Sequence, residues 1–119
     1  MTSPDPIAPI IYLASPYTHT DASVREARFH QATRAAATLI ESGAVVYSPI
    51  TMTHPIDLLL AEDGATLGSE YWVKFDEAFM NACSKMVILR IDGWSESLGI
   101  KREIEFFRAM EKPIEFLDP

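Results

Sequence analysis

Four short apolar runs, Ile10 to Ala14, Ala44 to Tyr47, Met86 to Ile91 and Ile114 to Leu117, alternate along the chain with stretches whose apolar residues recur at helical spacing. Runs closed by turn residues such as Ser15-Pro16-Tyr17 and Ser48-Pro49 read as buried strands. Strand, helix, strand in alternation leaves few topologies, because each crossover must return the chain in the same direction and pack its helix on the sheet. The pattern predicts an α/β fold, a three-layer doubly wound parallel sheet of the flavodoxin-like or Rossmann-like kind with four to five strands. At 119 residues this is one domain, over 10–119, preceded by a Pro-rich polar stretch over 1–9 that is expected to be a flexible leader.

The helices follow from the same spacing. From Asp21 to Ser42 the apolar residues Val24, Ala27, Ala32, Ala35, Ala36, Leu39 and Ile40 mark one face, with Asp21 as cap and Gly43 as stop. Between Ile50 and Gly68 the content is mixed, and a short helix over 54–62 followed by a long loop is expected, because Asp63-Gly64 and Gly68 interrupt it. Ser69 to Ser84 reads as a helix capped by Ser69, with Trp72, Phe75, Phe79 and Ala82 on its apolar stripe. Ser97 to Met110 is the last helix and is expected to bury Ile100, Ile104 and Phe107.

Composition narrows the function classes. With 17 acidic against 10 basic residues the net charge is −7, which opposes a duplex nucleic-acid surface built from clustered Lys and Arg. A small molecule is the expected partner. No apolar run reaches membrane-spanning length and no secretory signal pattern is present, so the cytoplasm is expected. The single cysteine, Cys83, permits no internal disulfide and reads as a small core residue. His19 and His30 have no companions at metal-ligand spacing, and His54 in Thr-His-Pro reads as an exposed loop residue. Ala14-Ser-Pro-Tyr17 replaces any glycine-rich phosphate turn after the first strand, so NAD or ATP in their standard modes is disfavoured and no cofactor is expected.

In a doubly wound sheet, ligands bind at the carboxyl ends of the strands. Tyr12, Ser15 and Tyr17 belong to the first such end, Ser48 to the second, and Asp92, Trp94 and Ser97 to the third. Gly93 and Gly99 punctuate the loop from the third strand into the last helix, whose free amide groups and Ser97 hydroxyl suit an anion or polar oxygen. Glu103 falls about one turn inside that helix. Asp76 follows Trp72 by four residues and shares its helix face, placing a carboxyl group beside apolar surface that favours its protonated form. A capped surface helix and a solvated boundary Asp explain the same residues without any site. A working pair of carboxyls is the arrangement that cleaves glycosidic bonds.

Taken together, Tyr12-Leu-Ala-Ser-Pro-Tyr17, Asp76 and Ser97-Leu-Gly-Ile-Lys-Arg-Glu103 resemble the nucleoside 2-deoxyribosyltransferase superfamily. The last motif is most similar to that of the deoxynucleoside 5′-monophosphate N-glycosidases, and the opening and the Asp-Gly-Trp loop are similar to those of small bacterial and phage relatives. The resemblance implies that Glu103 is the nucleophile on the sugar C1′, that Asp76 protonates the departing base, and that Tyr12 orients the Glu103 carboxylate. It also implies that Ser97 contacts a 5′-phosphate or nearby oxygen, and that the protein is a homo-oligomer. Trp72 and Trp94 are candidate walls for a base. The first loop carries Pro16-Tyr17-Thr18-His19 where the monophosphate glycosidases carry an arginine and glycines, so the phosphate state of the substrate stays open. Little chain follows the last strand, which favours hydrolysis over base transfer. The competing reading is a nucleotide-binding or sensor module that keeps the pocket without efficient catalysis.

Overall fold

The computed structural model of the protein describes residues 8–65 and 67–119, so the first seven residues of the expected leader lie outside the described residues. The elements run β1 (Ile10–Ala14), α1 (Ala22–Glu41), β2 (Val45–Tyr47), α2 (Pro49–Glu62), α3 (Ser69–Ala82), β3 (Lys85–Leu89), α4 (Leu98–Ala109) and β4 (Ile114–Leu117). A single 3-10 turn, Trp94–Glu96, stands between β3 and α4. The strands form one four-stranded sheet in the order β2-β1-β3-β4. Every pairing is parallel, with Tyr12 opposite Tyr47 on one side and opposite Met86 on the other.

Period-two alternation sorts the strand residues between two cores. Tyr12, Ala14, Met86 and Ile88 face one way and pack with Met80 from α3 and Ile100 and Phe107 from α4. Leu13, Val87 and Leu89 face the other way and pack with Ala36 and Leu39 from α1. Helices therefore cover both faces, as a parallel sheet needs. The strands read as continuous apolar runs for that reason.

Where local chemistry decides, element ends match the sequence. Asp21 caps α1 by accepting from the Ser23 amide at 2.8 Å, and Gly43 leaves the helix at φ +100. Ser97 caps α4 by accepting from the Ile100 amide at 3.2 Å. Two helices differ from expectation. α2 starts at Pro49 rather than His54, because Ser48 in extended backbone followed by proline in the first turn is a preorganised start. Pro55 removes one internal hydrogen bond but does not end the helix, which buries Pro49, Ile50 and His54. The cap of α3 is Gly68, not Ser69, and Ser69 is already helical. On α1, Ala27 and Ile40 are exposed although they continue the apolar pattern. Among the described residues no helix is long and apolar enough to cross a membrane.

Candidate active site

The strand order puts β1 and β3 side by side while the chain leaves β1 in the opposite direction toward β2. Loops departing from the carboxyl ends of these two strands must diverge, and the divergence leaves a crevice. A cavity of about 670 Å³ opens there, within the range typical of small-ligand sites. The end of β1 contributes Ser15 and Tyr17, the loop after β3 contributes Gly93, Ser97 and Gly99, and α3 contributes Trp72 and Asp76. Thr53 and Asp57 line it from α2, and Arg102 and Glu103 from α4. A smaller cavity of about 230 Å³ between α3 and α4 reaches the same Asp76, Arg102 and Glu103 from the other side.

Glu103 lies in the second turn of α4 on the face turned to the sheet, where a carboxyl is unusual, and it is 9% exposed. Its Oε2 accepts a hydrogen bond from the Tyr12 hydroxyl. Tyr12 is itself fully buried, with its ring between Tyr47 (centroids 5.9 Å apart) and Phe107 (5.6 Å). That packing fixes the phenol and hence the Glu103 oxygen it holds. Burial pushes the Glu103 carboxyl up to about 8 despite the Tyr12 hydrogen bond, which favours the ionised form, and the nearby Asp76 raises it further. Asp76 is pushed up to about 6, mainly by burial and against the pull of Arg102. Between those values the two groups hold one proton, the count required of an acid paired with a nucleophile.

Of the residues the sequence singled out, Glu103, Asp76, Ser15, Tyr17, Trp72, Ser97 and Gly99 meet in the one cavity. Tyr12 stands behind Glu103 rather than in the cavity wall. The Ser15 hydroxyl is buried without a hydrogen-bond partner among the described residues. Three others stand elsewhere. Ser48 is buried at the start of α2 with its hydroxyl on Thr51 (2.8 Å), so Pro49 and Ile50 reach the cavity instead. Asp92 is exposed, and its carbonyl takes the Arg28 guanidinium at 3.4 Å. Trp94 turns away to pack edge-on against Phe116 (5.6 Å). Between them Gly93 turns the backbone at φ +91, a position where a Cβ would fall 2.5 Å from the Arg28 guanidinium.

The expectation for His54 is corrected. It sits inside α2 and is 3% exposed, because Phe29 stacks on its ring at 4.6 Å and both nitrogens are bonded. Nδ1 meets the Tyr17 hydroxyl at 2.6 Å and Nε2 meets the Glu26 carboxylate at 2.7 Å. Arg28 and Arg102 also reach the cavity without having been anticipated. Their charge at helix positions facing strand ends was the available signal. Tyr47, read only as a strand residue, carries a buried hydroxyl without a partner among the described residues, and its phenol is pushed up by burial and by Asp76. The aromatic residues of α3 and α4 are largely used inside, Phe79 stacking on Tyr47 at 4.1 Å and Phe107 fully buried. Among the described residues no cluster of three His, Cys, Asp or Glu side chains is placed to hold a metal ion.

Residues 9–118 match the family described as "Domain of unknown function (DUF1937)". No curated protein matches the chain.

Proposed function

The chain belongs to the DUF1937 family, and on that footing we propose that it cleaves the N-glycosidic bond of a nucleoside or nucleotide, as a hydrolase or a 2-deoxyribosyltransferase, in the manner of the superfamily its motifs resemble. The observation that carries this reading is the buried Glu103 carboxyl, held by Tyr12 and opening on the same 670 Å³ cavity as Asp76. An anion-binding pocket has no use for two carboxyls beside its ligand.

In the reaction, the Glu103 carboxylate attacks the sugar C1′ while the bond from C1′ to the base nitrogen breaks. The bonding pair goes to the base, which takes a proton from Asp76. Water or a second base then displaces the Glu103 ester, and Asp76 receives the proton released. A carboxylate under the ring stabilises the positive charge that develops on the sugar. Burial raises both carboxyls, so in the free protein near neutral pH the pair shares one proton. For attack that proton must sit on Asp76, and the positive charge that develops on the sugar as the bond breaks favours the ionised Glu103.

The depth of Glu103, only 9% exposed, favours a second reading, a nucleotide-binding or sensor module that keeps the pocket without efficient catalysis. Incubation with ribo- and deoxyribonucleosides and their 5′-monophosphates, with and without a second free base, separates the two. Base release or exchange, followed by chromatography, supports the enzyme. No turnover of any member of the panel overturns it in favour of the module. A homo-oligomer remains part of the proposal, and the exposed Met52, Ile56 and Leu59 of α2 are the surface it would use. Sedimentation of the full chain at rest as a monomer would remove that part.

A further inference from the structure

The wall that α2 gives the cavity has its hydrogens already engaged. Nε2 of His54 must carry a proton, because it faces the Glu26 carboxylate at 2.7 Å, a group held below its usual range first by this hydrogen bond. In the neutral ring Nδ1 is then an acceptor, and the Tyr17 phenol donates to it at 2.6 Å. Tyr17 lines the cavity, so toward a ligand it offers only lone pairs. Thr53, adjacent to His54 on α2, donates its hydroxyl to the Pro49 carbonyl at 2.8 Å and is in the same condition. One turn further, Asp57 adds a carboxylate to this wall and, among the described residues, accepts no hydrogen bond from the protein. Three neighbouring groups therefore accept and cannot donate. The opposite rim is the reverse, with the Arg28 guanidinium and the amino end of α4.

A ligand that turns another acceptor to the α2 wall leaves both sides unpaired in a partly desolvated site, whereas a ligand with N–H groups satisfies them. We propose that this wall selects an amino-bearing base over the counterpart that lacks the amino group or carries an oxo group in its place. The inference rests on the reading of the cavity as a nucleobase site. Tyr17, Thr53 and Asp57 make the contacts, and His54 and Glu26 are positioning residues that act through Tyr17.

Calorimetric titration of the full chain with free bases tests it, using adenine against unsubstituted purine and cytosine against uracil. The expected result is amino-base binding tighter by roughly tenfold in each pair. Tyr17→Phe should narrow the ratio several-fold, and Asp57→Asn, whose amide can donate, should move it toward uracil. The ratio should survive His54→Asn, whose side-chain oxygen can accept from Tyr17, and narrow in His54→Leu; a change in melting temperature alone would not move it. Equal affinities within the pairs, or a preference untouched by Tyr17→Phe and Asp57→Asn, overturns the proposal. Base release from nucleosides without amino preference also overturns it while leaving the glycosidase reading in place. Amino-selective binding with no turnover does the opposite. Failure of every base to bind at millimolar concentration overturns the proposal, and the turnover panel alone then decides the glycosidase reading.

Discussion

Two tyrosines five residues apart, Tyr12 in β1 and Tyr17 in the loop after it, each give their hydroxyl to a buried titratable side chain, and the two arrangements do opposite things. Tyr12 holds one oxygen of Glu103, and no other hydrogen bond to that carboxyl is present among the described residues. Tyr17 holds one nitrogen of His54, and Glu26 closes the other. The first group is buried and incompletely satisfied, so burial displaces its proton affinity upward and leaves it a reason to react. The second is buried and fully satisfied, so its burial is stable and the hydrogens around it are fixed. Desolvation of a polar group produces reactivity or rigidity according to whether every hydrogen-bonding position is filled.

The comparison breaks first at Glu103. Glu103→Ala is expected to lower turnover by three or more orders of magnitude with the fold retained, since a nucleophile lost from a unit of cooperating groups removes nearly all its rate enhancement. Base-release assays with circular dichroism check it, and activity near wild type would show that the unsatisfied carboxyl is not the reacting one. Asp76→Asn should reduce base release by about 10²- to 10⁴-fold, most for the poorest leaving groups. If all bases slow equally, Asp76 does not donate the proton. Activity of the wild type should follow a bell in pH with limbs near 6 and 8, the values of the coupled pair. Below the lower limb no carboxylate is left to attack, and above the upper no acid remains.

Stability should separate the two tyrosine pairs by sign. Glu103 ionises near 4.5 in an unfolded chain and near 8 in the folded one, so between those pH values the folded state keeps a proton that the unfolded state has lost. Wild-type stability therefore falls as pH rises through this window. Glu103→Gln has no proton to lose and still accepts from Tyr12, so its melting temperature should exceed that of wild type by a margin that grows from pH 5 to pH 8. A constant or shrinking margin contradicts the burial of an uncompensated carboxyl. His54→Leu should act in the other direction, lowering stability by about 1–3 kcal/mol because Tyr17 and Glu26 lose their partner. Denaturant titration measures it.

Much of the fold was legible because it is set by local rules. β1 and β4 agree with their apolar runs end for end, and α1 and α4 agree with their caps, since strand alternation, Asp21, Gly43 and Ser97 act within a few residues. The first turn of α2 was not, because Ser48-Pro49 reads as a turn closing the strand before it and becomes a helix start only where Ile50 and His54 can be buried. The candidate site followed from a rule about strand ends, which is why Ser15, Tyr17, Asp76, Ser97 and Glu103 gather in one cavity. The same rule misplaced Trp94, whose direction depends on the left-handed turn at Gly93 and on Phe116 across the sheet edge.

The sequence by itself determined the alternation of strands and helices, the ends of most of them, and which carboxyl, hydroxyl and indole groups stand at the ends of strands. Only the tertiary structure decided the state of those groups. Whether Glu103 keeps its proton, or Tyr17 can donate one, depends on Tyr12, Asp76, His54 and Glu26, residues 27 to 91 positions away for the first and 9 to 37 for the second. Proton affinity and hydrogen-bond direction are set by the removal of water and by whichever partners replace it, and those are brought into place by packing rather than by neighbouring sequence.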